Sequence, residues 1–165
     1  MRVDDLKRLF DYNYWATEQI LSTANLVDQS RLAQPEPISF ESVLGTLTHM
    51  LNVECLWRSR CQERMSPKKV KYQDDFINLN DLTQAWQEEK RHMLAYLHNL
   101  NDAQLDETIR YTGQSGNEFQ NILWHILVQF VNHGTQHRSE VAMKLTGWGH
   151  SPGNLDFIIY VSRTK

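Results

Sequence analysis

The chain has 165 residues, 41% hydrophobic and 22% charged, which excludes a disordered segment or a fibrous repeat and leaves room for one packed core. Its net charge of −3 excludes a domain that binds nucleic acid by bulk charge. Seven His stand against only two Cys, and Cys55 and Cys61, six residues apart, match neither a zinc spacing nor a disulfide framework; they read as free thiols in a reducing cytoplasm.

The N-terminus is charged at Arg2, Asp4 and Asp5 and holds no apolar core segment, so no secretory signal is expected. From about Asp4 to Asn25, Leu6, Leu9, Phe10, Asn13, Ala16, Ile20 and Ala24 recur at three- and four-residue steps, which predicts a first helix. Pro35 and Pro37 close the linker after it. Ser39 then reads as the N-cap of a second helix from Phe40 to about Arg64, apolar around much of its circumference and so buried from more than one side. Met65 to Asn80 reads as a long connection, and its basic stretch Pro67-Lys68-Lys69-Val70-Lys71 as a solvated loop. Asp81-Leu82-Thr83-Gln84 resembles a capping box opening a third helix to about Leu100.

Gly113 and Gly116 mark the next loop. Asn117, with Gln120 three residues on, is read as the start of a fourth helix that runs to about Thr146 and stops at Gly147 and Gly149. Within it, Phe119 to His137 carries no formal charge over 19 residues, yet ten of these are polar or Gly, which argues against a membrane span. The tail from Asn154 to Val161 is apolar, as a short packing helix or a strand. Four long helices in one domain over 1–165 predict an all-α four-helix bundle with a long connection between its second and third helices and a short C-terminal tail.

The fourth helix carries the chemistry. Leu123, Phe130, His133, His137, Val141 and Leu145 form its apolar stripe, so two imidazoles stand at i and i+4 where the helix faces the core. Their Cβ atoms lie about 5–6 Å apart on such a face, which suits one metal ion. Gly134 beside them lowers helix propensity and is expected where another backbone or a ligand comes close. His49, mid-way along the second helix with Gly45, Val53 and Leu56 on its face, is the third candidate ligand. Glu89 and His92 form a Glu-x-x-His, but di-iron carboxylate bundles need two such motifs, so this segment is read as a solvated face. His92 and His98 are assigned to solvent or a helix end, and His150 to a turn. Tyr12, Trp15, Trp57 and Trp124 are core candidates at helical spacing.

Three stretches together resemble the DinB/YfiT-like superfamily of metal-binding four-helix bundles. They are Tyr12-Asn13-Tyr14-Trp15-Ala16; His49 followed by Glu54 and Trp57; and His125 through Asn132-His133-Gly134-Thr135-Gln136-His137-Arg138, with Gly147, Pro152 and Asp156. Glu140 departs from the pattern, since many members carry Gln there. The resemblance implies that His49, His133 and His137 hold one divalent metal, zinc or nickel, and that the long crossover is the 65–80 connection. It further implies a homodimer, and an activity like that of S-transferases using bacillithiol, mycothiol or glutathione. Three neutral imidazoles leave a divalent ion open positions, as in catalytic sites. The expected function is therefore cytoplasmic, metal-dependent transfer of a small-molecule thiol to an electrophile, without nucleic acid or membrane as partner. The alternatives are a non-catalytic metal-binding bundle and a hydrolase using metal-bound hydroxide. Asn52, His125, Gln129 and Glu140 are the supporting candidates around the triad. Cys55 and Cys61 lie about 120° round the second helix from His49 and are not needed as nucleophiles.

Overall fold

The computed structural model describes residues 1–67, 69–76, 78–113 and 116–164; Lys68 of the basic stretch lies outside them. Four long helices, α1 (Val3–Ala24), α3 (Val43–Glu63), α4 (Leu79–His98) and α5 (Leu123–Gly147), build an essentially all-α bundle. Two short helices accompany them: α2 (Gln29–Leu32) in the linker after α1, and α6 (Phe157–Arg163) in the tail. In the bundle α5 packs against α1 and α3, and α4 packs against the same two helices. That explains the apolar circumference of α3, which has a helix on two sides. No helix among the described residues is long and apolar enough to cross a membrane.

Three boundaries differ from the sequence reading, each for a local reason. The N-cap of α3 is Ser42 and not Ser39: its hydroxyl accepts from Gly45 N–H at 2.8 Å, after Glu41 has turned the chain with φ 60°. The N-cap of α4 is Asn78, whose side chain accepts from Asp81 N–H at 3.0 Å, so the helix begins before the Asp81 box. Residues 118–122, expected as the start of the fourth helix, instead form β2 (Glu118–Ile122), antiparallel to β1 (Thr108–Thr112) with Thr108 opposite Ile122. Four of the five residues in Thr108-Ile109-Arg110-Tyr111-Thr112 are β-branched or aromatic, which favours a strand. Ile109 is wholly buried, and Arg60 lies over both the Trp57 and Tyr111 rings, which anchors the hairpin to α3.

The core falls into two apolar clusters. One gathers Leu6 and Phe10 of α1, Met93 and Leu97 of α4 and Leu123, Leu127 and Phe130 of α5; Phe10 stacks on Phe130 at 5.1 Å. The other gathers Ile20, Leu47, Leu51, Leu82, Trp86, Val141 and Leu145. Each such side chain contributes about 1.5–3 kcal/mol on burial. Between the clusters, every long helix supplies polar residues to a buried belt: Asn13 and Thr17, Glu54, Glu89, and His137 with Arg138. Glu89 is therefore a correction to the solvated-face reading. It is 4% exposed and paired with Arg58, and Cys55 donates to it at 3.3 Å, while His92 faces solvent.

The connection from α3 to α4 is pinned against α3. Asn52 donates to the carbonyl of Lys71 at 2.6 Å and accepts from its N–H at 2.9 Å, and Ser42 donates to Gln73 at 2.6 Å. The tail docks on α1, with Tyr12 O–H donating to Leu155 O at 2.9 Å and Trp15 beside Tyr160. It is helical, the first of the two expected forms.

Candidate metal centre

Contact between α3 and α5 brings His49 to the same level as His133 and His137. Nε2 of His133 lies 3.2 Å from Nε2 of His49 and 3.2 Å from Nε2 of His137. Ligand atoms of all three lie within 4.8 Å of one another, so the group has the compactness needed to hold a metal ion. Nitrogens bound tetrahedrally at about 2.0–2.1 Å stand about 3.3 Å apart, which matches the two close separations.

The electrostatics suit ligation. Burial, then the neighbouring imidazoles of His133 and His137, push His49 down to about 4. Burial and His137 also lower His133. Both rings are thus neutral in neutral solution and offer lone pairs. His137 is 9% exposed, and its Nδ1 lies 3.1 Å from Glu140 Oε2. An Nδ1–H donated to that carboxylate leaves the Nε2 lone pair of His137 facing the other two rings. Glu140 is held in turn by Ser39, which donates to its other oxygen at 2.6 Å. Burial opposes ionisation of Glu140, but the hydrogen bonds with Ser39 and His137 keep its carboxyl below the usual range. Three inward nitrogens with so few hydrogens to share are a donor set matched to a cation. The residues fit the group.

Phe40 covers one side. Its ring stacks on His49 with centroids 3.6 Å apart and meets the edge of His137 at 5.5 Å. To bring it there the backbone passes so close to α3 that a Cβ at position 45 would collide with the Phe40 carbonyl, and Gly45 fills that place. Beside His49 opens a cavity of about 690 Å³, walled by Phe40, Val53 and Leu56 and, from the pinned connection, by Lys69, Val70 and Tyr72.

A family-level sequence model described as the DinB family matches residues 1–164. The chain belongs to the DinB family. It is similar to Protein DinB of Bacillus subtilis (strain 168), with 21% identity over 174 residues that cover 96% of this chain and 94% of that protein. Family membership and the three-His group together fit metal binding.

The supporting candidates are dispersed. Glu140 touches His137, and Asn52 lines the cavity while clamping Lys71. Gln129 is exposed one turn from His133, and His125 is exposed two turns away against the Trp124 ring, so neither touches the triad. Gly134 does admit a close neighbour, though a side-chain pair and not a backbone or ligand: a Cβ there would lie 2.7 Å from Arg138 Nη1 and 2.8 Å from Asn13 Oδ1. Sequence reasoning gave no role to Ser39 at this site or to Phe40. Glu140, three residues after His137, carries the i,i+3 signal that places it on the same face.

Proposed function

We propose that this protein is a metal-dependent thiol S-transferase, with His49, His133 and His137 as the ligands of one divalent ion. The observation that carries the proposal is a compact triple-imidazole group with one member, His49, in the wall of a cavity of about 690 Å³. That volume is in the range of small-molecule sites and takes a thiol together with a second substrate.

A divalent ion held by three neutral imidazoles supplies stabilisation of thiolate over thiol, and zinc or nickel suits such ligands. The chain's residues do the rest. Glu140 fixes the tautomer of His137, with Ser39 holding Glu140. Phe40 shields the His49 side from water. Val53, Leu56 and Tyr72 receive the apolar body of the electrophile. The thiol's sulfur forms a bond to an electrophilic carbon, the leaving group departs with its bonding pair, and the thiol's proton passes to solvent through the cavity mouth. The protein's own thiols are unsuited to that attack, since burial first, and then the Glu89 charge for Cys55, pushes both up to about 12.

Elemental analysis of untagged wild type and His133→Ala should give about one metal per chain falling to near none. Full retention in the variant would sink the triad. The metal-loaded protein, incubated with bacillithiol, mycothiol or glutathione and a chlorinated nitroaromatic electrophile, should consume one thiol faster than metal-free protein does. Equal rates for all three thiols would leave a metal-binding bundle without this turnover.

A further inference from the structure

Three buried side-chain polar atoms lack a hydrogen-bond partner among the described residues: Thr48 Oγ1, Glu54 Oε2 and Trp86 Nε1. Thr48 lines the large cavity beside His49. The other two belong to residues that line a separate interior cavity of about 10 Å³, which His133, Asn13, Gly134 and Arg138 also line. That is room for the centre of one water, and a lasting buried water needs two to four polar partners.

Glu54 reaches this cavity as a fully buried side chain whose Oε1 is already taken by the Tyr14 hydroxyl. Its second oxygen is the orphan. Trp86, 4% exposed, brings an indole N–H that only donates. His133 brings the third group. Its Nε2 faces His49 and His137, and no hydrogen bond among the described residues engages its Nδ1. Imidazoles that bind metal hand their outer N–H to a partner that fixes ring and tautomer, as His137 does with Glu140.

We propose that one water occupies this cavity and links Trp86, Glu54 and His133, making Glu54 a positioning residue for the triad. Trp86 Nε1–H and His133 Nδ1–H donate to the water, and the water donates to Glu54 Oε2. That oxygen accepts whether the carboxyl is ionised or carries its hydrogen on Oε1. Tyr14 holds Glu54 in place from α1, so the ring of His133 is aligned from behind by residues of three other helices. The consequence for metal affinity rests on the triad reading above; the water and its contacts do not.

A crystal structure of the wild-type protein should show one water within hydrogen-bonding distance of Glu54 Oε2, Trp86 Nε1 and His133 Nδ1. A dry cavity, or a water out of reach of His133, overturns the proposal. Glu54→Gln replaces the accepting oxygen by a donor at nearly constant shape, and Trp86→Phe removes the indole donor. Each should shift the ring nitrogen resonances of His133, and Glu54→Gln should weaken zinc binding about tenfold in a chelator competition. Thermal unfolding identifies whichever variant is folded. Unchanged His133 resonances and zinc affinity in the folded variants overturn the positioning role. A wild type that takes up no zinc overturns the metal reading alone, and the His133 resonances of the metal-free protein still decide the role of Glu54.

Discussion

Ser39 and Glu140, 101 residues apart in the chain, meet through a 2.6 Å hydrogen bond from the serine hydroxyl to the carboxylate. The linker before α3 thereby steadies the one carboxylate among the described residues that touches a triad imidazole. Replacing Glu140 by Ala frees the His137 ring to rotate and change tautomer. Zinc affinity should fall by about 10–100-fold, and Ser39→Ala should fall less in the same direction. A chelator competition reads both, and wild-type affinity in Glu140→Ala would separate Glu140 from the metal centre.

Gly134→Ala tests the close approach of Arg138 and Asn13 to α5. The added methyl must displace two polar atoms that lie under 3 Å from its position and belong to a fully formed buried cluster. The expected cost of such overpacking is about 1–3 kcal/mol, larger than the gain in helix propensity of about 1 kcal/mol. Calorimetry should show a melting temperature lower by several degrees, and an unchanged or higher value would contradict the packing described.

Glu54 gives the stability a pH-dependent component of its own. Its carboxyl is raised from 4.5 to about 8, mainly by burial. Between those values the carboxyl of the folded metal-free protein keeps a proton that the unfolded chain has released, so this group's contribution to stability falls as pH rises through the window. The contribution of this group is fully present below pH 4.5 and lost on passing pH 8. Glu54→Gln has no such titration. Denaturant unfolding of both proteins across this range should show a difference that drifts by a few kcal/mol. Parallel curves would place the ionisation of Glu54 elsewhere.

Much of the candidate site was legible in sequence because His133 and His137 interrupt an apolar stripe at helical spacing. His49 was a weaker signal, since its proximity depends on α3 meeting α5, which no local pattern encodes. The bundle itself followed from periodicity and breakers. The hairpin did not: five residues from Thr108 to Thr112 are too few to outweigh the cap-like Asn117 and the long helical pattern behind it. Ser39 and Ser42 offer the same capping chemistry, and only the turn at Glu41 decides between them. Glu89 looked solvated among charged neighbours because its partner, Arg58, comes from another helix 31 residues earlier.

Asn52→Ala should loosen the wall of the large cavity and leave the triad intact. Its side chain makes two hydrogen bonds to the backbone of Lys71 and none to the imidazoles. Trypsin should then cut the connection, at Lys69 or Lys71, several-fold faster than in wild type. Zinc content should stay at the wild-type level. Unchanged proteolysis would mean that Ser42 and Gln73 suffice to hold the connection.

The buried polar belt also acts as a ruler. Apolar helices slide past one another by a turn with modest loss, because one leucine replaces another in the seam. Here a one-turn slip of α5 against α1 would pull Arg138 away from Asn13 and Thr17 and lodge a guanidinium among apolar side chains. Leaving a buried charged group without its hydrogen bonds costs about 3 kcal/mol, a sizeable part of the stability of an ordinary domain. Arg138 follows His137 directly in the chain, so the vertical alignment it enforces is also the alignment that holds the imidazoles of α5 level with His49.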